Sequence, residues 1–99
     1  MYKRQVQSIH FVADQKLVDF VEGKVGKLNQ YYDRIIDSEV YLKVDKSELK
    51  ENKVAEIKVA IPGKELFAKK QCKTFEEATD LAVEALRRQI RKHKGKISA

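Results

Sequence analysis

The chain has 99 residues, with 21 Lys and Arg against 15 Asp and Glu, a formal net charge of +6 and 42% hydrophobic residues. That length suits one domain with one core, and the apolar content argues against disorder. One cysteine excludes an internal disulfide and fits a reducing cytoplasm, while no apolar run approaches a signal peptide or a membrane span.

Residues Arg4 to Phe11 read as a short strand. Asp14 offers an N-cap, and Leu17, Val18, Val21, Val25, Leu28 and Tyr32 then recur at three- and four-residue spacing, a helix with one apolar stripe. Gly23 and Gly26 lie near its opposite side and lower its intrinsic stability, so packing must supply the remainder. Ser38, Val40, Leu42 and Val44 alternate with Glu39, Tyr41, Lys43 and Asp45, the pattern of a strand with one buried face. The polar run from Asp45 to Asn52 turns the chain. A second such strand follows, with Ala55, Ile57, Val59 and Ile61 inward and Val54, Glu56, Lys58 and Ala60 outward. Pro62-Gly63 signals a tight turn, and Leu66 and Ala68 alternate with Phe67 and Lys69 in a third, weaker strand. Thr74 and Glu77 match a capping box. A long last helix carries an apolar face of Phe75, Ala78, Ala82, Leu86 and Ile90. Its first half is acidic outside (Glu76, Glu77, Asp80, Glu84) and its second half basic (Arg87, Arg88, Arg91, Lys92, Lys94, Lys96), which complements the helix macrodipole.

The order β-α-β-β-β-α predicts an α+β fold: a four-stranded sheet with two helices packed on one face, forming a single domain over residues 1–99. The other sheet face is left for solvent or a partner.

The charge pattern directs attention to the helices. On the last one, Arg87, Arg91 and Lys94 share a side, with Arg88 and Lys92 on a neighbouring flank; on the first, Lys16, Lys24 and Lys27 gather along one flank of the stripe. Side-by-side helices would merge these flanks into one basic surface. Glu84 precedes Arg87 and Arg88 by three and four residues and is a competing partner for them. Arg91, Lys92, Lys94 and Lys96 have no acid nearby in sequence, and like charges this dense call for a polyanion. Tyr32 belongs to the apolar stripe and Tyr31 to its edge, where packing competes with base stacking. Tyr41 and Phe67 fall on the open sheet face, where aromatics can stack bases or stand as ordinary surface apolars. His10 and His93 match no metal motif, and Cys72 reads as a half-buried strand-end residue. There is no Gly-rich phosphate loop, paired-carboxylate, metal-ligand or nucleophile motif, so neither an enzyme nor a cofactor is expected.

Two segments carry a resemblance. One is Val18-Asp-Phe-Val-Glu-Gly-Lys-Val-Gly-Lys-Leu-Asn-Gln-Tyr-Tyr-Asp-Arg-Ile35; the other is Leu86-Arg-Arg-Gln-Ile-Arg-Lys-His-Lys-Gly-Lys96, preceded by Asp80. With this strand order and length, they resemble the ribosome hibernation promoting factor and ribosome-associated inhibitor family, also called protein Y, over nearly the whole chain. The resemblance implies a fold like that of double-stranded-RNA-binding domains. It implies binding to the small ribosomal subunit and its ribosomal RNA at the decoding channel, where mRNA and transfer RNA anticodon ends lie. It further implies inhibited translation and ribosome hibernation in starved or stationary cells. Short members also favour ribosome dimers; the chain ends at Ala99, as expected of a short member that is cytoplasmic and monomeric off the ribosome. The family's basic positions fall on Lys27, Arg88, Lys92, Lys94 and Lys96. Two positions depart from the family pattern: a common Lys is Ala85, and a common early-helix aromatic is Glu76. A sigma-factor-modulating interaction module and a generic double-stranded-RNA binder are the alternative classes. The expected RNA-binding set is Lys16, Lys24, Lys27, Arg87, Arg88, Arg91, Lys92, Lys94 and Lys96.

Overall fold

The computed structural model describes residues 3–9, 14–45 and 51–98, with side chains for 14–45 and 51–94. The elements run β1 (Lys3–Ile9), α1 (Gln15–Tyr31), β2 (Asp37–Val44), β3 (Lys53–Ile61), β4 (Lys64–Cys72) and α2 (Phe75–Ser98). Phe11 and His10 lie outside the described residues.

The sheet order is β1-β2-β3-β4. β2, β3 and β4 are antiparallel neighbours, whereas β1 joins the edge of β2 in parallel, after the α1 crossover. The two hairpins have different closures. Asp45 N–H donates to the Asn52 carbonyl at 2.7 Å across the ends of the polar run, whose residues 46–50 lie outside the description. Between β3 and β4, Ile61 pairs with Lys64 and only Pro62-Gly63 intervenes. Gly63 sits at φ 76°, a conformation that costs an L side chain about 1 kcal/mol and glycine nothing. That tight turn aligns the two strands, so β4 extends over nine residues where the sequence suggested four.

Both helix starts are capped as their sequences indicate. The Asp14 carboxylate accepts from the backbone N–H groups of Lys16 (2.6 Å) and Leu17 (3.1 Å), and Thr74 Oγ1 accepts from Glu77 N–H at 3.1 Å. Each satisfies donors that have no partner within the helix.

One core lies between the sheet and both helices. Val21, Val25 and Leu28 of α1 and Tyr32 at its C-cap meet Val40 and Leu42 of β2, Ala55, Ile57, Val59 and Ile61 of β3, Leu66 and Ala68 of β4, and Phe75, Ala78, Ala82, Leu86 and Ile90 of α2. Every residue of the α2 stripe is buried, and the helix's buried surface is wider than that stripe, taking in Thr79 and Val83. Two positions in β2 and β3 depart from simple alternation. Val44 is 38% exposed because it pairs with Lys53 at the end of the sheet, and Val54 is 3% exposed although it belongs to the outward set. Val54 stands between its register partners Lys43 and Gln71, whose long side chains rise on the same face. Cys72, expected half-buried, is a core member at 7% exposure.

Candidate nucleic-acid interface

Periodicity explains how the helices meet. Lys24, Lys27 and Tyr31 stand at i, i+3 and i+7 on α1, one flank of the buried Val21-Val25-Leu28 stripe. Asp80, Val83, Glu84 and Arg87 hold the equivalent flank of α2. Together with Gln30 they line an open groove of about 420 Å³. Here the two basic flanks merge, as expected, but acids enter the groove with them. Lys24 Nζ pairs with Asp80 Oδ1 at 2.8 Å and lies 5.5 Å from the Phe20 ring centroid. Arg87 Nη1 pairs with Glu84 Oε1 at 3.1 Å, the local pairing the sequence offered as the competing role for Arg87. Lys16 and Lys27 are exposed on α1.

Tyr31 is the centre of the seam. Lys94 Nζ lies 4.6 Å from its ring centroid and the Arg87 guanidinium carbon 5.3 Å, both within cation–π range. The Arg91 guanidinium acts on its phenol group, and that interaction, reinforced by the charges of Arg91, Lys94 and Arg87, lowers the phenol pKa against a smaller opposing effect of burial. The same interaction raises the pKa of Arg91. The ring itself packs partly buried against the core. Sequence reasoning placed Tyr31 at the edge of the stripe, where packing competes with base stacking, and left it out of the RNA-binding set. Its seven-residue spacing from Lys24 was the available signal, since it places the aromatic on the cationic flank.

The α2 cations therefore do not form one surface. Arg87, Arg91 and Lys94 face α1. Of the pair read as a neighbouring flank, Arg88 is exposed, and Lys92 lines a second hollow of about 260 Å³ with His93, Gln89, Lys64, Glu65 and Leu66 beside β4. Gln89 Nε2 donates to the Phe67 carbonyl at 3.0 Å and ties that flank to β4. The reason is angular: at about 100° per residue, Lys92 stands about 140° from Arg87 and about 160° from Lys94. Lys96 belongs to α2, and its side chain lies outside the described residues.

The open sheet face is charge-balanced in contrast. Lys43 pairs with Glu56, Lys58 Nζ with Glu65 Oε1 at 3.7 Å, and the Tyr41 hydroxyl donates to the Glu39 carboxylate, which raises the phenol pKa. Phe67 is half exposed there. His93 meets Tyr32 edge-on with ring centroids 6.3 Å apart. Among the described residues, no group of three or more His, Cys, Asp or Glu is placed to hold a metal ion, and no helix is long and apolar enough to cross a membrane.

Two helices on one face of a mainly antiparallel sheet, joined by a cation-rich seam, define a small basic α+β domain. Residues 4–98 match the family model described as sigma 54 modulation protein / S30EA ribosomal protein, and the chain belongs to that family. The ribosome hibernation promotion factor of Bacillus subtilis is 39% identical over 84 residues, 83% of this chain and 43% of that protein. The ribosome hibernation promoting factors of Pseudomonas putida and Escherichia coli K12 are 32% and 34% identical, over 88% and 84% of this chain and 81% and 83% of theirs. The chain thus spans less than half of the Bacillus protein and about four-fifths of the other two. Two solved structures share the fold. A ribosomal subunit interface protein from Coxiella burnetii superposes with a TM-score of 0.82 at 19% identity, over 94% of this chain and 98% of that one. The N-terminal domain of Thermus thermophilus Protein Y does so with a TM-score of 0.76 at 23% identity, over 90% and 94%.

Proposed function

We propose that this chain is a non-enzymatic ribosome hibernation factor of the cytoplasm. It binds the small ribosomal subunit at the decoding channel, through ribosomal RNA, and inhibits translation in starved or stationary cells. The observation that carries the reading is the seam around Tyr31, where Arg87, Arg91 and Lys94 of α2 gather beside Lys24 and Lys27 of α1. Cations grouped on a helix pair can neutralise successive phosphates and release their counterions. The balanced charges of the open sheet leave it a poorer match for a polyanion. The names of the relatives supply the ribosome as the particular polyanion.

In this reading Lys16, Lys24, Lys27, Arg87, Arg91 and Lys94 form the principal contact. Arg88, Lys92 and Lys96 extend it around α2. The frame is like that of double-stranded-RNA-binding domains, the protein is monomeric off the ribosome, and the bound ribosomes can pair.

Co-sedimentation with purified small subunits tests the reading, with a chemical footprint of the ribosomal RNA and with duplex RNA as competitor. Stoichiometric binding and protection within the decoding channel are expected, and log affinity should fall with log salt by roughly 0.7–0.9 per neutralised phosphate. A binding constant flat between low and moderate salt, or equal competition by any duplex, overturns it.

A further inference from the structure

Tyr31 ends α1, a helix with no basic residue in its last turn, yet three cations of the other helix gather on it. Arg87, Arg91 and Lys94 stand at i, i+4 and i+7, so on an isolated helix they would repel one another. Each would also lose rotamer freedom on meeting a phosphate. The Tyr31 ring offsets both costs. Its negative π face attracts Lys94 and Arg87, and Arg91 stands with them as a cation acting on the phenol group. The ring is held by its own packing against the core, so the anchor is rigid.

We infer that Tyr31 is a positioning residue, which orders Arg87, Arg91 and Lys94 on the helix seam so that the phosphodiester backbone of an RNA meets cations already in place. This rests on the RNA-binding reading above and deepens it. It assigns the tyrosine to recognition of phosphate and not of a base, because the ring's contacts go to cations. Lys92, turned toward Lys64 and Glu65, lies outside the device and serves as an internal control.

The test measures binding of the full chain to small subunits and to inorganic polyphosphate, which has no bases. Tyr31→Leu is expected to weaken both roughly 5- to 20-fold, the scale of two exposed cation–π contacts. Tyr31→Phe, which keeps the ring, recovers most of that loss. The effects of Tyr31→Leu and Lys94→Ala combine to less than their product, whereas Tyr31→Leu and Lys92→Ala multiply to within about 2-fold. Should Tyr31→Leu fail to fold, the cycle of Tyr31→Gln with Lys94→Ala decides through the ring contact and is expected to be coupled. Independent effects in the deciding cycle overturn the inference, as does a loss on small subunits with polyphosphate binding intact, the mark of a stacked base. A wild-type chain that ignores small subunits but shows the coupling on polyphosphate overturns the ribosomal reading and leaves the positioning role standing.

Discussion

Lys24 Nζ lies 2.8 Å from Asp80 Oδ1, an ion pair that bridges α1 and α2 at the mouth of the groove between them. The pair joins the helices, and it also occupies a cation that the electrostatic reading assigns to RNA. Its side chains are 29% and 55% exposed, so solvent screens it and its contribution to stability is about 0–1 kcal/mol. Its effect on binding is larger in proportion, because a phosphate must displace the carboxylate.

Asp80→Asn therefore gives a folded protein with tighter small-subunit binding, by roughly 2- to 10-fold at low salt. Titration against small subunits and urea unfolding measure the two quantities. Weaker binding by a folded variant would mean that the bridge holds Lys24 in its binding position and does not compete for it.

Charge reversal of Arg91, Lys92 and Lys94 to Glu strikes both flanks of α2 at once. Arg91 and Lys92 are exposed, Lys94 is half-buried and none belongs to the core, so surface costs of less than about 0.5 kcal/mol apply, with a dipole penalty of about 0.3–1 kcal/mol for each acid near a helix C-terminus. Loss of Lys94 from Tyr31 adds about 0.5–1 kcal/mol. Binding falls by roughly 100-fold or more, since three attractions become repulsions. Circular dichroism, co-sedimentation and in vitro translation make the comparison. A folded variant that inhibits at wild-type concentration would reduce the basic run to a solvated face.

The Cys72 thiol has its pKa raised, chiefly by burial and further by Glu77 and Glu51. It therefore stays protonated at neutral pH and reacts slowly with a disulfide reagent in the native protein, at full rate in urea. Because the folded pKa lies above the unfolded one, the associated stability is present below about pH 8.5 and is lost as pH rises through the folded value. Cys72→Ala costs about 1 kcal/mol and leaves ribosome binding unchanged. Rapid native labelling, or lost binding with the fold intact, would contradict this account.

Tyr31 titrates in the opposite sense. Its folded pKa is lowered, first by the interaction with Arg91 and then by the charges of Arg91, Lys94 and Arg87. The linked stability is thus present above the unfolded value of about 10 and is lost as pH falls through the folded one; at neutral pH it contributes nothing. Chemical unfolding at successive pH values is expected to show wild type gaining on Tyr31→Phe as pH approaches about 10. A constant difference would place the three cations too far from the phenolate to matter.

The element order was legible because each element carries its own period and its own punctuation. Asp14 and Thr74 announced two helices, Pro62-Gly63 a hairpin, and alternation in β2 and β3 named the buried face residue by residue, Val44 and Val54 excepted. Those two failed because burial at a sheet's end and between long neighbours depends on what stands beside a residue, which period two does not encode. β4 looked weak because Lys69, Lys70 and Gln71 interrupt its apolar content, yet pairing with β3 sustains it to Cys72.

The candidate site was legible as a set of cations and not as an arrangement. Local composition determined that α2 ends in Lys and Arg and that α1 carries Lys16, Lys24 and Lys27 on one flank, since helical spacing is a property of one element alone. Only the packing of α1 beside α2 on a common sheet face decided that Lys24 meets Asp80, that Arg87, Arg91 and Lys94 converge on Tyr31, and that Lys92 turns to β4. Those contacts join residues more than fifty positions apart, or set two sides of one helix against different neighbours. Their partners are chosen by the burial of Leu28, Leu86 and Ile90 in a shared core, not by anything adjacent in the chain.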